Sequence, residues 1–78
     1  MNVAIDRLVD AKGQTCPMPV VMARKASKEM QPGQVMALEA TDPGSQADIP
    51  SWSKAMGHEL LEQAHDGGIF RYVIRIKS

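Results

Sequence analysis

Apolar residues recur along this chain in two rhythms, and proline or glycine marks nearly every change from one to the other. From Val3 to Ala11 apolar and charged residues are mixed, with Ile5, Leu8 and Val9 available for burial, and the pattern stops at Lys12 and Gly13. A short first strand is predicted there. From Pro17 to Met30 the positions Pro19, Met22, Ala23, Ala26 and Met30 return at helical spacing while Arg24, Lys25 and Lys28 fall on the other side. That is an amphipathic helix, stopped before Pro32 and Gly33.

"QVMALEA" reads as a buried strand, closed by a turn at "TDPGS" in which Asp42 suits the first position, Pro43 fixes the next dihedral and Gly44 supplies a positive one if the turn is type II. A second helix follows in "DIPSWSKAMGHEL", with Asp48 near its cap, Pro50 in its first turn, Gly57 at its end and an apolar stripe of Ile49, Trp52, Ala55 and Met56. "HELLEQAH" and "IFRYVIRIKS" then flank Asp66, Gly67 and Gly68, the signature of a tight hairpin. In the last strand Phe70, Tyr72, Ile74 and Ile76 alternate with Arg71, Val73, Arg75 and Lys77, which leaves one face buried.

The order strand, helix, strand, helix, strand, strand predicts an α/β (α+β) two-layer sandwich. Right-handed crossovers taken in one direction put both helices on one face of a four-stranded mixed sheet. With 78 residues the chain is expected to be a single domain spanning positions 1–78. Its 44% hydrophobic content suits a compact fold.

Nine Lys and Arg balance nine Asp and Glu, so no overall field gathers nucleic acid or an acidic membrane, and partner choice must be local. Neither a signal peptide nor a membrane span is legible, which makes a cytoplasmic location the default. One cysteine forms no internal disulfide, and with two scattered histidines it does not resemble a zinc site. No metal and no cofactor are expected.

The chemistry therefore concentrates on Cys16, which stands directly before Pro17 and three positions before Pro19. If the helix starts at Pro17, Cys16 is its cap and Pro17 takes the first helical position, where a missing N–H costs nothing. The amides of Met18 and Val20 then remain to face the helix end. A thiolate there meets the positive end of the helix dipole, which lowers thiol pKa values from about 8.5 to roughly 3.5 to 7.5 and makes a nucleophile. Arg24 and Lys25 lie about two turns along, roughly 12 Å away, better placed to steer a partner than to tune the sulfur.

"DAKGQTCPMPVVMARKA" resembles the signature of the TusA family, also called SirA-like proteins: an Asp, a Gly, then Cys-Pro-X-Pro opening the first helix. "ATDPGSQADIPSW" is similar to the family's second block. The resemblance implies a sulfur carrier without a bound cofactor, in which Cys16 accepts sulfane sulfur as a persulfide and passes it on. Asp10, Gly13, Pro17 and Pro19 would support the motif, and Met18, Arg24 and Lys25 would meet partners. The implied donor is a cysteine desulfurase or rhodanese-like protein, and the implied acceptor a DsrE-type or similar protein. Transfer RNA thiolation, cofactor maturation and sulfur oxidation all employ relatives, and a shuttle that must leave its donor is expected to be a monomer. Many relatives carry a second cysteine where this chain has Ser53, so a single-site shuttle is expected.

Two other readings compete. A non-catalytic protein- or RNA-binding module would use the basic helix face with Arg71, Arg75 and Lys77, although zero net charge and few aromatic platforms argue against nucleic acid. A redox sensor would use Cys16 in mixed disulfides. His58 and His65 read as solvated or capping residues, Asp10 as a turn former, and Trp52 and most methionines as packing.

Overall fold

In a computed structural model that describes residues 4–77, the chain forms β1 (Arg7–Ala11), α1 (Met18–Lys28), β2 (Val35–Ala40), α2 (Ser45–Ala55), β3 (Glu59–Asp66) and β4 (Ile69–Arg75). The sheet order is β1-β2-β4-β3: β1 and β2 are parallel, and β4 runs antiparallel to both β2 and β3. One core cluster joins Val9, Met36, Leu38, Tyr72 and Ile74 from the sheet to Ala23 and Ala26 of α1 and Ile49 of α2. Both helices thus cover the same face, as the pattern predicts.

Alternation explains the core. Phe70, Tyr72, Ile74 and Ile76 are all buried, and they lie in register with the helix-facing residues of β2, Tyr72 against Leu38 and Ile74 against Met36. Gly67 and Gly68 both take positive φ, 59° and 82°, the backbone of a two-residue hairpin whose twist matches its strands.

The first strand is shorter than the pattern suggests. Val9 and Ala11 are buried, whereas Leu8 is 60% exposed because it points to the face without helices; Val3 lies outside the described residues. α2 departs further. It begins at Ser45 with Gly44 as cap in right-handed helical conformation (φ −61°), so Gly44 makes no type II turn, Asp48 is a first-turn residue and Pro50 is interior. The buried stripe is Ser45, Ile49 and Ser53, spaced four apart, with Trp52 half-buried, while Ala55 and Met56 are exposed. Starting one turn early lets the amides of Ser45 and Gln46 bond the carbonyls of Asp42 and Pro43, and that registers small serines against the sheet.

Candidate functional site

Parallel strands end on the same side of a sheet, so the segments leaving β1 and β2 lie together. The β1–α1 loop is fastened to its neighbour by backbone donors: the Gly13 N–H bonds Thr41 Oγ1 at 2.9 Å and the Cys16 N–H bonds Asp42 Oδ2 at 3.1 Å. Gly13 has φ 83°, a conformation that favours glycine. Asp10 Oδ1 accepts from the Lys12 N–H at 3.1 Å and pairs with Lys12 Nζ at 3.3 Å. The Lys12 backbone bond, then its ammonium, holds the Asp10 carboxyl below its usual pKa. Asp10 thus shapes the turn at the end of β1 and does not touch Cys16. Lys12 also reaches Glu39 at 3.0 Å, and Arg71 reaches the same carboxylate at 3.1 Å.

Cys16 is a free, exposed thiol. It is not the cap of α1: that place is held by Pro17, joined to Cys16 by a cis peptide bond, and the helix starts at Met18. The Met18 N–H is taken by Thr15 O at 2.8 Å, so it is not free to face the sulfur. The thiol instead donates to Asp48 Oδ2 on α2, at 2.8 Å. That bond, followed by desolvation and the charges of Asp48 and Asp42, raises the thiol pKa above its ordinary value. The expected lowering is therefore reversed, because both charged groups acting on the sulfur are carboxylates and the helix end is one residue too far along.

Pro19 is buried on the sheet side of α1, and Met18 is 40% exposed next to the thiol loop. Arg24 and Lys25 are exposed farther along α1. Lys25 borders a groove of about 410 Å³ between α1 and β1, together with Arg7, Leu8 and Met22. The structure thus gathers Gly13, Cys16, Pro17 and Met18 at one end and leaves Arg24 and Lys25 on a separate flank.

Pattern reading missed Asp42 as the partner of the Cys16 amide and Asp48 as the partner of its sulfur, assigning them to a turn and a helix cap. The available signal was topological: two adjacent parallel strands bring their following loops together. Gly44 belongs to the same arrangement, since a Cβ there would lie 3.6 Å from Cys16 Cβ and 2.9 Å from Asp42 Oδ2. His58 is buried just before β3 and is not solvated, its Nδ1 accepting from the Lys77 N–H at 3.1 Å and its ring 5.0 Å from that of Trp52. His65 stacks on Phe70 at 4.2 Å. Among the described residues no cluster of three or more His, Cys, Asp or Glu could hold a metal, and no helix is long and apolar enough to cross a membrane.

Comparison with known proteins matches residues 7–76 to the family model described as Sulfurtransferase TusA. A putative sulfur carrier protein, YrkI of Bacillus subtilis, is 46% identical over 90% of this chain and 93% of its own length. The sulfur carrier protein TusA of Pseudomonas aeruginosa is 38% identical over 100% of this chain and 99% of that protein. Among solved structures, the SirA-like protein of Desulfitobacterium hafniense superposes with a TM-score of 0.80 at 28% identity, covering 92% of this chain and 99% of that one.

Proposed function

This chain belongs to the TusA sulfurtransferase family and is a sulfur carrier, and on that premise we propose that the cargo travels as a persulfide on Cys16. A carrier of this kind meets a protein that gives sulfur and a protein that takes it. The observation that carries the reading is that the sole thiol is exposed on a loop whose backbone is pinned at Gly13 and Cys16, which presents one sulfur in one place to either partner.

The chemistry balances without an outside oxidant. Cys16 Sγ attacks the terminal sulfur of a donor persulfide, a new S–S bond forms on Cys16 as the donor's S–S bond breaks, and the thiol proton ends on the donor's released cysteine. Delivery repeats the exchange toward the acceptor. With no second cysteine in the chain, the persulfide has no internal thiol to turn it into a disulfide.

The proposed donor is a cysteine desulfurase or rhodanese-like protein and the proposed acceptor a DsrE-type or similar protein, met in the cytoplasm by a monomer acting as a single domain over residues 1–78. Cys16, supported by Asp10, Gly13, Pro17 and Pro19, is the reacting residue of this reading. Met18, Arg24 and Lys25 are its partner contacts. Incubation with a desulfurase and L-cysteine should add about 32 Da, removable by a reductant, to the native chain and not to Cys16→Ser. Absence of the added mass with that donor and with a rhodanese charged from thiosulfate rejects the persulfide.

A further inference from the structure

The bond between Cys16 and Asp48 has a role that a simple nucleophile does not need. A thiol that must attack a persulfide reacts as its thiolate, and here the nearest charged group accepts its proton rather than stabilising its loss. We propose that Asp48 is a positioning residue that holds the Cys16 proton and so reserves the sulfur for donors that place a cationic side chain against Asp48. The proposal rests on the persulfide reading above and adds to it a rule for which donors can load the carrier.

The surroundings fit that role. Asp48 stands in the first turn of α2, packed against the thiol loop through the close approach of Gly44 to Cys16. From the β2–α2 connection the second carboxylate, Asp42, holds the Cys16 amide, so the charges of two acids act on the sulfur. From the β1–α1 loop Lys12 is engaged by Asp10 and Glu39. α1 brings no acidic residue in its first turn, and its last-turn bases are Lys25 and Lys28. The charge that would release the thiolate is therefore one a partner has to bring.

When an ammonium or guanidinium engages Asp48, its carboxylate loses its hold on the thiol proton. Cys16 Sγ then bonds the donor's terminal sulfur, the donor's S–S bond breaks, and the proton goes to the donor's cysteine thiolate, with no net oxidation. A free polysulfide anion brings no such cation and is also repelled by both carboxylates.

The test compares the native chain with Asp48→Asn, which keeps shape and removes charge, and with Asp48→Glu, which keeps charge. The pH profile of Cys16 alkylation by iodoacetamide is expected to move to lower pH in Asp48→Asn, with a severalfold higher rate at pH 7, and to stay near the native profile in Asp48→Glu. A merely structural role does not move that profile. Loading, read by mass, should rise severalfold in Asp48→Asn with sodium polysulfide and should not rise with a cysteine desulfurase and L-cysteine. An unchanged alkylation profile overturns the hold of Asp48 on the proton. Equal acceleration with both donors overturns the selection of donors. Failure of the native chain to gain mass from either donor rejects the persulfide reading itself, and the alkylation profile reports on Asp48 independently of that failure.

Discussion

Tyr72 and Ser45 share a hydroxyl–hydroxyl hydrogen bond of 2.8 Å within the core, tying the interior strand β4 to the first residue of α2. Both side chains are buried, and burial raises the Tyr72 phenol pKa while the Ser45 bond partly offsets it. The bond fixes where α2 begins, and with it Gly44 and Asp48. Tyr72→Phe leaves a buried hydroxyl without its partner, for an expected loss of about 1 to 3 kcal/mol in urea unfolding. Adding Ser45→Ala should recover part of that loss, since no unpaired group then remains. A double mutant as unstable as the sum of the singles contradicts this account.

Gly44→Ala separates packing from backbone conformation. The φ of −61° is open to alanine, but the new Cβ would press on Asp42 Oδ2, which holds the Cys16 amide. Because the carboxylate end can swing away, the stability change should stay within about 1 kcal/mol. The Cys16 amide proton should exchange faster with solvent, and an unchanged rate shows that Asp42 does not hold it.

His58 makes stability depend on pH. Burial lowers its pKa, and its Nδ1 accepts the Lys77 N–H, a bond that a proton on Nδ1 removes. For a pKa lowered on folding, the contribution is complete above the ordinary imidazole value near 6.5 and is lost as pH falls through the folded value. Urea midpoints should therefore fall from pH 7.5 to pH 5 in the native chain, and fall less in His58→Gln. Parallel declines in the two proteins exclude His58 as the cause.

Ser53 is 2% exposed, and its hydroxyl has no hydrogen-bond partner among the described residues. Ser53→Ala removes a buried polar atom that gains nothing from its position, so the variant should equal or exceed the native chain by up to about 1 kcal/mol in urea. Loss of more than that amount points to a hydroxyl bond formed in solution. Sulfur loading should be unaltered, since the residue is sealed beneath α2 on the sheet.

The alternation of Phe70, Tyr72, Ile74 and Ile76 and the glycine pair before them made the last two strands legible, because a period of two and a positive φ are local properties. The apolar run of β2 and the stripe of α1 were equally readable. The start of α2 was not. Asp48 and Pro50 imitate a cap and a first-turn proline, yet the Tyr72–Ser45 bond and the fit of two serines against the sheet carry the helix one turn further back. At the site, the motif singled out Cys16 and led to an expected fall in its pKa, whereas its surroundings push that pKa up. The prolines do mark the start of α1, but the group that governs the sulfur lies on α2, thirty-two positions away in the chain. No spacing rule within the Cys-Pro-X-Pro segment reports that neighbour.

The sheet order β1-β2-β4-β3 places the strand that follows all the others along the chain in an interior position. A nascent polypeptide interrupted before Ile69 has nothing to lay between β2 and β3, so its apolar strand faces stay wet and α2 has no phenol to dock on. The closing hairpin thus supplies the hydroxyl on which the acid-bearing helix is seated.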